Sequence, residues 1–107
     1  MKKTINIDGR EMEFAANAAT PFRFRQIFKK DLFSILGNEQ KAQEEGIDTV
    51  AELAFVLNKQ AEKADIAQLN EESFIEWLEQ FGSMAFMETA EEILNVYLDT
   101  TASTAKP

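Results

Sequence analysis

The chain is predicted to be mainly α, a small α+β domain in which an N-terminal β-hairpin packs on about four α-helices. Two observations carry that expectation. Apolar residues alternate with period two across the first fourteen positions, around an Asp8-Gly9 pair, and from residue 20 they recur at three- and four-residue spacing. All four glycines, Gly9, Gly37, Gly46 and Gly82, fall where the pattern predicts breaks. A length of 107 residues suits a single core. The expected division is one domain over residues 1–98 and a mobile tail over 99–107, where DTTASTAKP offers no large apolar anchor.

The hairpin is expected over residues 3–14. Asp8-Gly9 is a strong type I′ turn signal, and a two-residue turn there pairs Ile7 with Arg10, Ile5 with Met12 and Lys3 with Phe14. Ile5, Ile7, Met12 and Phe14 then share one face, with Thr4, Asn6, Glu11 and Glu13 toward water. An isolated hairpin is only marginally stable, so its apolar face must lie on helices or on another chain's sheet.

Thr20-Pro21 reads as an N-cap followed by proline at the first helical position, opening a helix over about 20–36. Phe24, Ile27, Phe28, Leu32, Ile35 and Leu36 form its stripe, Phe22 and Phe33 flank it, and Gly37 reads as a left-handed terminator. Residues 38–48 are polar and contain Gly46, and read as a loop or a frayed helical turn. Thr49 and Glu52 match a capping box for a helix over 49–64, striped by Val50, Leu53, Ala54, Leu57, Ala61 and Ala64. Phe55 and Val56 fall off that stripe, so this helix is expected to be buried on two sides. Asn70 caps a third helix over 70–81, with Glu71 and Glu72 favouring its dipole and Phe74, Trp77, Leu78 and Phe81 facing inward. Ser83 opens a fourth over 83–98, striped by Met87, Ala90, Leu94 and Tyr97, with Phe86, Ile93 and Leu98 beside them.

Composition narrows the function. The chain has no cysteine and no histidine, so disulfides, thiolate or imidazole metal sites and imidazole acid–base chemistry are excluded. Glu44-Glu45, Glu71-Glu72 and Glu91-Glu92 are adjacent pairs, which diverge by about 100° on a helix and read as solvated faces. No enzyme activity, cofactor or metal is expected. Net charge is −8, which opposes nucleic acid. No apolar run approaches the ~20 residues of a membrane span, and the basic but polar N-terminus is no signal peptide. A cytoplasmic binding protein is the expectation.

The charge is uneven: residues 1–36 hold seven basic and four acidic side chains, residues 37–107 four and fifteen. Arg23, Arg25, Lys29 and Lys30 interleave with Phe22, Phe24 and Phe28. Helical spacing sends the charges outward, which favours an intramolecular or protein-partner role over single-stranded nucleic acid. Nine phenylalanines with Trp77 and Tyr97 are many for so small a core. Phe22, Phe33, Phe55, Ile75 and Phe86 lie at the margins of their stripes. They imply either a broad two-sided core or an exposed apolar patch for self-association or a helical partner.

The segment ATPFRFRQIFKKDLFSIL resembles the (A/R)TP-aromatic/basic-x-F-x-x-D(L/I) helix of the tail assembly chaperones of long-tailed phages and prophages of Gram-positive bacteria. LAFVLNKQAE and FIEWLEQFGSMAFMETAEEILNVY resemble the same family, as do the length, the initial DG hairpin and the acidic balance. One departure is Lys29-Lys30, where a glycine followed by a basic residue is expected. The resemblance implies a mainly helical, non-catalytic protein that coats the long, aggregation-prone tape measure protein until tail tube subunits polymerise around it. It also implies action in the host cytoplasm, absence from the finished virion, and often a longer product made by ribosomal frameshifting near the end of the frame. The expected partners are the tape measure protein, then the tail tube protein and a second copy of this chain, with Phe22, Arg23, Arg25, Lys29, Lys30 and Phe33 as the partner-binding residues. A structural head–tail or tail-completion subunit is the alternative, with a small regulatory protein behind it.

Overall fold

The hairpin forms in the register its turn dictates. In the computed structural model, which describes residues 2–37 and 39–103, β1 (Lys2–Ile7) and β2 (Arg10–Ala15) run antiparallel. Ile7 pairs with Arg10, Ile5 with Met12 and Lys3 with Phe14. Asp8 and Gly9 adopt φ of 55° and 85°, the left-handed pair a type I′ turn requires, and the Asn6 side chain accepts the Gly9 N–H at 3.1 Å. Ile5, Ile7 and Phe14 are buried and Met12 half-buried, while Thr4, Asn6, Glu11 and Glu13 are exposed.

Six α-helices follow among the described residues, so the fold is mainly α with a small β element. The single helix expected over 20–36 is two. α1 (Thr20–Phe28) ends where Lys29 turns left-handed at φ 59° and donates its N–H to the Arg25 carbonyl. α2 (Leu32–Leu36) restarts on the Asp31 side chain, which accepts the Ser34 N–H at 3.3 Å. Two expected details change with it. Thr20 is the first helical residue rather than the cap, its hydroxyl accepting the Asn17 N–H at 3.0 Å. Gly37 is not left-handed (φ −84°); what requires glycine is space, because a Cβ would stand 2.8 Å from the Phe33 carbonyl oxygen.

α3 (Glu39–Ala61) is the central helix and begins ten residues before the expected start at 49. The stretch EQKAQEE is rich in helix formers, and an interior glycine costs only about 1 kcal/mol, so Gly46 does not break it. Thr49 therefore lies mid-helix and caps nothing; its buried hydroxyl has no hydrogen-bond partner. Every residue from Thr49 to Asn58 is buried, so neighbours pack around the whole circumference. The helix stops at Ala61, short of 64, with Lys63 left-handed at φ 58°. A 3₁₀ turn (Ile66–Gln68) capped by Asp65 leads to α4 (Glu71–Leu78), where Asn70 accepts the Ser73 N–H at 2.9 Å as expected.

The helix expected over 83–98 is also two, α5 (Ala85–Glu88) and α6 (Ala90–Ser103), and Ser83 is not its cap. The buried Thr89 hydroxyl donates back to the Ala85 carbonyl at 2.8 Å, a side-chain bond of the kind that competes with the helical ladder. The break rotates the inward face, so Ile93 and Val96 are fully buried while Met87, expected inside, is half exposed. α6 continues past Asp99, the expected start of the tail; residues 104–107 lie outside the described residues.

Rings join these helices into one core. Phe24, Phe28, Phe74, Phe55, Trp77 and Phe86 follow one another at centroid separations of 5.1–5.5 Å, mostly edge-on, the geometry aromatic pairs prefer. Phe55 and Phe86, marginal by periodicity, are buried; the two-sided core accounts for them. Phe22 and Phe33 are not absorbed.

Two polar devices hold α3 to its neighbours. Asn58 donates from Nδ2 to the Glu13 carbonyl at 2.9 Å and accepts the Trp77 indole N–H at 3.1 Å. Gln60 donates to the Ala15 carbonyl at 2.8 Å and to the Thr20 hydroxyl at 3.1 Å. These side chains occupy the outer edge of β2, where unpaired carbonyls would otherwise be buried. Nearer the middle of α3, the Lys30 ammonium donates to both carboxylate oxygens of Glu52 at 3.0 and 3.1 Å.

Candidate functional site

α1 turns Pro21, Phe24, Ile27 and Phe28 inward. Helical spacing then sets Phe22, Arg25 and Gln26 along the outward side, and Phe22 is 66% exposed. Lys29 closes that helix, its ammonium donating to the Gln26 carbonyl at 2.9 Å. On α2, Leu32 and Ile35 face the core and Phe33 is 62% exposed. Asp31 ties the two helices: it caps α2 and lies 3.7 Å from the Arg25 guanidinium. Both partners are exposed, so this pair contributes little stability and leaves Arg25 able to exchange partners.

Two of the six expected residues stand apart. Lys30 turns inward onto Glu52 and is engaged within the fold. Arg23 lies toward the other flank of α1, in a shallow cleft with Asn17, Ala19, Lys63 and Ile66. Phe22 and Arg25 on α1, Lys29 at its end and Phe33 on α2 remain on the surface. Burial raises the Glu52 carboxyl above its usual value, more than Lys30 lowers it, with Asp48 and Glu71 adding to the rise. Burial likewise raises the Tyr97 hydroxyl.

Sequence reasoning missed a second apolar surface. Met84 and Met87 are 51% and 50% exposed at the α4–α5 corner, beside a cleft of about 250 Å³ lined by Ala51, Leu78, Phe81 and Phe86. The available signal was the composition of the region: residues 64–105 carry nine acidic side chains and no lysine or arginine. Among the described residues no cluster of three or more acidic side chains is arranged to hold a metal ion, and no helix is long and apolar enough to cross a membrane. No protein-family model, curated protein or solved structure matches this chain.

Proposed function

We propose that this chain is a non-catalytic phage tail assembly chaperone that binds the tape measure protein and keeps it soluble in the host cytoplasm. The observation that carries the proposal is the exposure of Phe22 on α1 and Phe33 on α2, two successive helices that also bring Arg25 and Lys29 to the surface, on a chain of net charge −8. A holding chaperone needs exposed apolar area for a client that would otherwise aggregate, and net charge to stay dissolved itself. Release favours many weak copies over one tight complex.

The break after α1 supports the same reading. Lys29 adopts φ 59° at the position where the resembled family is expected to carry glycine, the residue that takes this conformation without steric cost. The basic face also carries charge complementary to the acidic half of a second copy, outside the cleft described below, which would make self-association part of the same activity.

The test is co-expression with the neighbouring tape measure protein. The wild-type chain should bring that protein into the soluble fraction. Phe33→Ala should lose much of this effect at unchanged melting temperature, because an exposed aromatic anchor contributes about 2 kcal/mol or more to binding. Reversal of Arg25 and Lys29 should weaken capture at low salt and matter little at high salt. A tape measure protein that stays insoluble with the wild-type chain would overturn the proposal.

A further inference from the structure

We infer that the cleft between α3 and the α4–α5 corner is a docking site for a basic amphipathic helix. Its walls are Ala51, Leu78, Phe81, Phe86 and Met87, with Asp48 at the rim, and its volume of about 250 Å³ admits one large apolar side chain rather than a drug-sized ligand. Met84 and Met87 stand half exposed at this corner. Unbranched, polarisable methionine side chains adapt to whatever apolar surface meets them.

The surrounding charge selects the occupant. Asp48 belongs to the cleft, and Asp8 reaches it from the hairpin turn, accepting the Gly82 N–H at 3.0 Å. The segment that builds α4, α5 and α6 contains no lysine or arginine. Arg10 also approaches: its guanidinium lies 5.8 Å from the centre of the Phe81 ring and donates to the neutral Gln80 side chain at 2.8 Å, so one positive charge stands against the two carboxylates of Asp8 and Asp48. An apolar, methionine-edged groove in acidic surroundings is the chemistry that receives a helix with an apolar stripe flanked by lysine or arginine.

A second copy of this chain fits less well. Its own basic helix, α1, has Pro21, Phe24, Ile27 and Phe28 buried in its core and presents only Phe22 outward. A free amphipathic helix brings one anchor for the cleft and another, a turn away, for the exposed Met84 and Met87 beside it. The inference does not rest on the tape-measure reading, since the cleft lies on different elements from Phe22 and Phe33.

The test uses the full-length protein and a synthetic lysine–leucine amphipathic peptide of about five turns without tryptophan. Trp77 is the only tryptophan and lies 5.2 and 5.3 Å from Phe81 and Phe86, so its emission reports on the cleft wall. Expected is a saturable change in Trp77 emission, with the methyl resonances of Met84 and Met87 shifting and that of Met12 unmoved. Met87→Lys should weaken binding about tenfold or more, and Asp48→Lys, on the exposed rim, provides the same test should Met87→Lys fail to fold. A glutamate–leucine peptide of the same pattern should not bind. Absent binding, equal binding of the acidic peptide, or unchanged affinity in a folded rim variant would overturn the inference. So would a wild-type oligomer that Met87→Lys converts to monomer, because the occupant would then be a second copy. None of these outcomes bears on solubilisation of the tape measure protein through Phe33.

Discussion

α3 is fastened to its surroundings in two ways, and the contrast separates structure from tunability. At its C-terminal end Asn58 and Gln60 are neutral and bond to backbone carbonyls of β2, with Asn58 also accepting the Trp77 N–H. In its middle, Glu52 meets the Lys30 ammonium with both carboxylate oxygens. Neutral side chains bonded to carbonyls that would otherwise go unmatched fix one arrangement and do not respond to pH. The ionic pair does not fully offset the loss of hydration at Glu52, and the carboxyl is raised accordingly. The first device holds the hairpin on the bundle. The second connects α3 to the residue between α1 and α2, the segment that carries Phe22 and Phe33.

The comparison breaks most sharply at Asn58. Asn58→Ala leaves the Trp77 N–H and the Glu13 carbonyl without their partner in a buried site, and should cost about 3 kcal/mol in chemical denaturation. A loss under 1 kcal/mol would mean that the neutral end is no firmer than the ionic one. Next comes the hairpin turn that delivers those carbonyls. Gly9→Val forces a β-branched residue to φ 85° and should cost about 1–2 kcal/mol, read as a lower denaturation midpoint.

At the other end the expected sign reverses. Lys29→Gly should raise stability by about 1 kcal/mol, since φ 59° is strained for lysine and free for glycine. An unchanged or lowered melting temperature would show that the lysine side chain, bonded to the Gln26 carbonyl, matters more than the backbone. The smallest effect is a pH dependence. A carboxyl raised in the folded state holds its proton more tightly there than when unfolded. Its contribution to stability is full below the ordinary value of 4.5 and is lost as pH rises through the folded value. Wild-type melting temperatures should therefore fall, relative to Glu52→Gln, as pH rises just above 4.5. Parallel profiles would show that Glu52 titrates as a solvated carboxyl.

The hairpin register, the Asn70 cap and the position of Phe22 and Phe33 at the margin of the apolar stripe were legible in the sequence because each depends on residues within a few positions of one another, whereas only the structure decided that those two rings stay exposed. A two-residue turn determines which side chains pair, a cap needs only the next three residues, and periodicity separates the faces of a single helix. The breaks at Lys29 and Thr89 were not legible, since neither residue is a glycine or proline. Gly46 gave the opposite error: it has the look of a breaker and sits inside a helix that tertiary burial and its helix-forming neighbours sustain. Lys30 looked like a surface charge until folding brought Glu52, twenty-two positions away, within bonding distance. Met87 looked like core until the break at Thr89 separated α5, which carries it, from α6 and its buried stripe. Only the packed structure decided these points, because partners remote in sequence can override local preferences of about 1 kcal/mol per residue.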